Sequence, residues 1–228
     1  MKKLALMQSN YIPWKGYFDL INRVDDFVIY DEVQFTKNSW RNRNKIIASS
    51  NLVWLTVPVV HDFGQRISDV KIVNSSWGAK HWKTISQAYS KSSAFPKYAK
   101  TFEDLYVSIQ DESYLSVINR KFIDRVCGLL NINTRLCSSV DIPRKSNERN
   151  ERILEICLSK NADIYLSSPV AKIYLDVALF EKNGIQVEWM DYSSYEQYHQ
   201  NSKEFVHEVS ILDLIFNDER HCMSLFKQ

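Results

Sequence analysis

Residues 4–30 read LALMQSNYIPWKGYFDLINRVDDFVIY, and this stretch decides the fold. Leu4–Met7 is a short apolar run, as a strand in a buried sheet requires. It breaks at Gln8-Ser9-Asn10, and Pro13 marks a loop. From Gly16 the apolar residues Tyr17, Leu20, Ile21 and Val24 fall at helical spacing. Phe27–Tyr30 is then an unbroken apolar run, the pattern of a strand covered on both faces. Strand, loop, helix, strand is a βαβ unit, and its parallel strands need a crossover helix.

Further along, Lys45–Ala48 and Leu52–Val59 read as strands joined by a hairpin turn at Ser49-Ser50-Asn51. Residues 67–72 are expected to form one more strand. The spacing predicts helices over 77–89, 98–107 and 113–130, the last with Leu115, Ile118, Phe122, Val126 and Leu129 on its core face. A strand over 134–140, a helix over 147–160 and a strand over 163–166 follow. A helix over 176–183 comes next, with Asp176 as N-cap and Gly184 just beyond its end. Ile185, Val187 and Trp189 alternate as a last strand, and a final helix begins near Ser210, with Asp213 completing an approximate capping box. The expected fold is α/β: a single three-layer, Rossmann-like domain over 1–228, with a mostly parallel sheet, an antiparallel hairpin and a helical insertion at about 77–130.

Composition narrows the function classes. Of 228 residues, 45% are apolar, which supports a core and argues against disorder. The net charge of +2 does not point to nucleic acid as a partner. Cys127, Cys137, Cys157 and Cys222 form no C-x-x-C pair, so neither a zinc ribbon nor a redox motif is supported. Scattered thiols suit a reducing, cytoplasmic setting. The apolar run at the N-terminus is too short for a signal peptide, and no run is long enough for stable insertion in a membrane.

The loop after the first strand lies at the carboxyl rim of a parallel sheet, where open α/β folds bind ligands. Gln8 and Asn10 bring amides there, Tyr11 a ring and Lys15 a charge; a plain helix-capping loop accounts for the same residues. Asp31, after the second strand, is the first candidate for a catalytic base. Glu32 beside it reads as a solvated carboxylate. Gln34 lies in the loop that follows. Lys37, Arg41, Arg43 and Lys45 have no acid among them, and in extended chain Arg41, Arg43 and Lys45 share a face. That row is a phosphate or carboxylate clamp, with Trp40 to stack on a ring, or else a solvated edge strand. His81 falls within the apolar arc of its helix with Trp77, Trp82, Ile85 and Tyr89. It is a second catalytic candidate, or a core histidine with its hydrogen bonds satisfied. Tyr165, Ser167 and Ser168 end another short strand, and Tyr174 follows; all four are candidate substrate contacts. No metal site is expected, and nothing in the residues names a cofactor.

The same segments resemble the WbqC-like family of bacterial proteins. The resemblance rests on Met7-Gln8, Tyr11, Pro13 and Gly16-Tyr17-Phe18, then Phe27 through Gln34, and Trp40-Arg41-Asn42-Arg43. Trp77 with His81, Tyr165-Leu166-Ser167 with Tyr174-Leu175, and Ser210 through Leu214 extend it. Ser9 stands where the family usually has proline, and Ser168 where a glycine is common. The resemblance implies a role in O-antigen and lipopolysaccharide biosynthesis, with glycyl or acyl transfer to a sugar as the suggested activity. It carries over no catalytic residue. The opening is also similar in layout to the nucleotidylyltransferases, but their two-histidine signature is missing, since no histidine precedes His61. Three readings therefore stand. The first is a transferase acting on a nucleotide-linked amino sugar, the second ATP-dependent nucleotidyl transfer, and the third a binding module without catalysis.

Overall fold

The computed structural model describes residues 1–226. The chain opens as the sequence predicts: β1 (Lys3–Met7), α1 (Lys15–Asn22) and β2 (Asp26–Ile29). A β-hairpin follows, β3 (Arg43–Ala48) with β4 (Asn51–Thr56), then a small pair, β5 (Val59–Val60) with β6 (Lys71–Ile72). Three helices come next: α2 (Ser76–Tyr89), α3 (Phe95–Ser108) and α4 (Leu115–Leu129). The remainder is β7 (Arg135–Ser138), α5 (Arg149–Ser159), β8 (Ile164–Ser167), α6 (Val177–Lys182), β9 (Gln186–Trp189), α7 (Ile211–Asn217) and α8 (Glu219–Leu225).

The central sheet has the order β7-β2-β1-β8-β9, with every neighbouring pair parallel. Counting only these strands, the order is third, second, first, fourth, fifth. The chain changes direction between β1 and β8, and the carboxyl ends of those strands flank a topological switch point. Strand alternation sends side chains into two cores. Ala5, Phe27, Ile29 and Leu166 pack with α1, α4 and α7 on one face, while Leu4, Leu6, Val28 and Tyr165 pack with α5 and α6 on the other. The result is a three-layer, Rossmann-like α/β fold.

Several local expectations are corrected. Residues 67–72 are mainly a 3-10 turn, Ile67–Asp69, followed by the two-residue β6. Ile67 and Val70 are both fully buried, and a spacing of three is the period of that turn, not of a strand. The strand expected over 52–59 breaks around Pro58, which has no N–H to donate to a ladder. The strand expected through residue 140 ends at Ser138 and gives way to a 3-10 turn, Ser139–Asp141. Helix α3 starts at Phe95, with Pro96 in its first turn, where a missing N–H costs nothing. Ser210 does cap α7, but Asp213 takes no part in a capping box and turns into the core. The expected end signals at α6 hold: Asp176 accepts from the Leu179 N–H, and Gly184 has φ +76°.

Candidate functional site

The loop after β1 is shaped from below. Ile12 has φ +38°, a strained conformation for a β-branched residue, yet its side chain is fully buried. Asn44 of β3 holds the kink, donating through Nδ2 to the carbonyls of Tyr11 (3.1 Å) and Ile12 (2.8 Å). The Tyr11 N–H donates to the Trp40 carbonyl at 3.0 Å, and the Ile211 N–H to the Pro13 carbonyl at 2.8 Å. Gly16 is required here for space, since a Cβ would lie 2.3 Å from the Trp14 ring. That ring is itself packed edge-on against Tyr192 and Tyr195.

At the rim, Asp31 is buried and its Oδ1 accepts from the Ser9 N–H at 2.8 Å. Burial raises its pKa above the ordinary carboxylate range, while hydrogen bonds from Ser9 and the charge of Arg41 oppose the rise. Ser9 Oγ in turn accepts from Asn119 Nδ2 at 3.1 Å, and the same amide donates to the Arg41 carbonyl at 2.9 Å. Arg41 donates through Nη1 to Asn10 Oδ1. Its guanidinium is largely desolvated, which lowers its pKa, and among the described residues it has no carboxylate at ion-pair distance. A hollow of about 370 Å³ opens beside Asp31, with Ser68, Ser116, Arg120 and Ser138 in its walls. The structure thus brings Asn10, Asp31 and Arg41 together, and Gln8 stands next to them, its carbonyl accepting from Tyr17 Oη at 3.2 Å. Ser9, Asn44 and Asn119 complete the arrangement, and no local pattern in the sequence marks them. A larger hollow of about 860 Å³ lies between α1 and β9, lined by Lys3, Asp19, Arg23 and Glu188, and it contains none of the expected site residues.

Other expected residues lie elsewhere. Tyr11 and His81 are both buried, with Tyr11 Oη 2.8 Å from His81 Nδ1 and 2.6 Å from Tyr106 Oη. Trp77 packs edge-on against both rings. Tyr11 therefore has no open face for a ligand, and His81 is enclosed in an aromatic cluster. Burial lowers the His81 pKa from 6.5 to about 4, against a hydrogen bond to Thr56 that raises it. A depressed histidine pKa contributes stability that is present above pH 6.5 and lost as pH falls toward 4. Between pH 7 and pH 4, urea unfolding of the wild type is expected to lose roughly 3 kcal/mol more than that of His81→Gln. An equal acid sensitivity of the two would rule this out.

Lys15 is also buried. Its Nζ lies 5.0–5.3 Å from the ring centres of Tyr195, Tyr198 and Phe205 and donates to the Glu196 carbonyl at 3.3 Å. Desolvation lowers its pKa to about 8, although Asp213 acts in the opposite direction. Asp213 accepts from Tyr89, Tyr198, Gln200 and Asn217, which anchors the irregular 190–210 segment to α2 and α7. Tyr165 lies on the opposite face of the sheet, stacked on Phe180 and hydrogen-bonded by Ser167 at 3.3 Å. Ser168 starts the 3-10 turn Pro169–Ile173, and Tyr174 is exposed beneath the Arg149 guanidinium. Gln34 and Lys37 are exposed, and Gln34 forms a β-bridge with Arg66. The cation row divides: Arg41 turns to Asn10, whereas Arg43 and Lys45 lie over indole rings on the outer face of the hairpin. Glu32 is not solvated; it is buried against Arg152.

Fold and rim together define a Rossmann-like α/β protein in which a buried carboxylate, Asp31, and a guanidinium, Arg41, that has no carboxylate partner among the described residues lie at the carboxyl edge of the sheet. The chain belongs to the WbqC-like protein family, whose sequence profile matches residues 8–224. It is 42% identical over 219 residues to the uncharacterized protein Rv1507c of Mycobacterium tuberculosis (strain ATCC 25618 / H37Rv), covering 95% of this chain and 94% of that protein. No solved structure matches it. Among the described residues, no helix is long and apolar enough to cross a membrane.

Proposed function

We propose that this chain is a transferase of bacterial surface-polysaccharide biosynthesis, moving an amino-acid (glycyl) or acyl group onto a nucleotide-linked amino sugar. The observation that carries the reading is Arg41, a desolvated guanidinium whose only side-chain acceptor among the described residues is Asn10, next to the buried carboxylate of Asp31. Arg41 is half-buried and largely desolvated, a state that costs free energy without an anion nearby, and an anionic ligand offsets part of that cost. Arg41 then meets the anionic group of the ligand from the rim, while Lys37 and Arg43 share its charge from the hairpin side and Trp40 lies against a ring. The amine nitrogen attacks the carbonyl carbon of an activated acyl donor. As the new C–N bond forms, the bond to the donor's leaving group breaks and Asp31 accepts the amine proton. Asp31 suits this role better than His81, whose Nδ1 is engaged by Tyr11 in the core.

The test is to incubate the purified protein with nucleotide-linked amino sugars and with acyl and aminoacyl donors, reading products by mass spectrometry. The expected result is a sugar nucleotide heavier by one acyl or aminoacyl group. A protein that neither binds nor modifies any sugar nucleotide would overturn the reading. ATP-dependent release of pyrophosphate would favour nucleotidyl transfer instead.

A further inference from the structure

The outer face of the β3–β4 hairpin carries a cluster that folding leaves unspent. Lys45 and Trp54 are register partners, as are Arg43 and Thr56, so Arg43, Lys45 and Trp54 share one face. Trp40 joins them from the preceding loop, its ring centre 5.5 Å from that of Trp54. The Arg43 guanidinium lies 4.2 Å from the centre of the Trp54 ring, and Lys45 Nζ lies 5.3 Å from Trp40 and 5.7 Å from Trp54. Both indoles remain open to solvent, Trp40 by 36% and Trp54 by 44%. Core packing therefore does not explain why two of the largest apolar side chains sit here.

The polar side points the same way. Arg43 Nε is buried and has no acceptor among the described residues. Among those residues, none of Lys37, Arg43 and Lys45 has a carboxylate at ion-pair distance. A buried guanidinium N–H without a partner is expensive, and an acceptor from outside would supply what the fold does not. The chain joins this face to the rim directly, since Arg41 follows Trp40 and the Trp40 carbonyl accepts from the Tyr11 N–H.

We infer that this face is the seat for the nucleoside diphosphate part of a ligand, with Trp54 and Trp40 under the base and Arg43 and Lys45 on the phosphates. The inference deepens the proposed function and rests on it for the identity of the group carried onward to Asp31. An exposed indole face accepts any flat base, so the platform sets affinity and position while discriminating little among bases. The guanidinium on Trp54 brings a fork of donors to a phosphate next to a stacked ring.

Calorimetric titration separates the parts. The probes are uridine and guanosine 5′-diphosphate, inorganic pyrophosphate and uridine, on the full chain. Both nucleoside diphosphates are expected to bind, with pyrophosphate and uridine each at least about tenfold weaker. Trp54→Ala is expected to weaken nucleoside diphosphate binding roughly tenfold and leave pyrophosphate binding unchanged, and Trp54→Phe to restore most of the loss. Arg43→Met is expected to weaken both roughly tenfold. Circular dichroism of each variant establishes that it is folded. Pyrophosphate binding as tightly as the nucleotides, or Trp54→Ala binding them like the wild type, would overturn the inference. The two proposals fail separately. Nucleotide binding that depends on Trp54 without any acyl transfer removes the transferase reading and leaves the platform, whereas transfer with an unchanged KM in Trp54→Ala removes the platform alone.

Discussion

Arg152→Ala is expected to destabilise the fold by roughly 3–5 kcal/mol, because it strands a buried carboxylate along with several backbone acceptors. Arg152 is fully buried. Its Nε and Nη2 donate to the two Glu32 oxygens at 2.6 and 3.1 Å. Nη2 also reaches the carbonyls of Ser139 (3.1 Å) and Ile142 (2.9 Å), and Nη1 reaches the Pro143 carbonyl (2.9 Å) and the Glu155 carboxylate (3.3 Å). The side chain thus ties α5 to the end of β2 and to the turn after β7. Arg152→Lys is expected to recover little, because an ammonium cannot reproduce the planar fork. Urea titration gives the loss directly; a change within about 1 kcal/mol would refute the account. In a double-mutant cycle, Glu32→Gln with Arg152→Ala is expected to cost less than the sum of the two singles, since each alone strands the other.

That network also shows where reading the sequence stops. The apolar runs at Leu4–Met7 and Phe27–Tyr30 place the central strands because a doubly covered strand must be apolar at consecutive positions. The core face of α4 follows from its period, and Asp176 and Gly184 mark the ends of α6, because caps act over a few residues. Glu32 reads as solvated in the sequence because its partner lies 120 positions away, inside a helix with many charged residues. Ser9 and Asn119, which orient Asp31, are 110 positions apart. Lys15 has its aromatic cage built from residues some 180 positions later, so local sequence shows a charge beside a rim loop and not the enclosure around it. His81 shows an ambiguity that periodicity cannot resolve: a buried arc contains pocket and core residues alike, and only the neighbours Tyr11, Trp77 and Tyr106 distinguish them.

Asp31→Asn is expected to lower turnover of the proposed transfer by ~10²–10⁴-fold while leaving nucleotide binding intact. The amide keeps the size of the carboxylate and can still accept from the Ser9 N–H, but it cannot take a proton. Burial holds the carboxyl above its ordinary pKa, so the wild-type rate is expected to rise with pH through that raised value and then level off. The variant is expected to lose that limb. Stability is expected to move the opposite way. A raised carboxyl pKa means that the folded state favours the protonated form. Its contribution is complete below the unfolded pKa and is lost as pH rises through the folded one. At neutral pH the buried charge is therefore a cost, and Asp31→Asn is expected to melt no lower than the wild type. A residue kept only for structure would show the reverse, a lower melting temperature with an unchanged pH–rate profile. Arg41→Lys supplies the complement: the ammonium keeps the charge but loses the fork on the anion, raising KM roughly tenfold with a smaller change in kcat. Asp31 and Arg41 then separate by kinetics, one acting on the proton and the other on the bound anion.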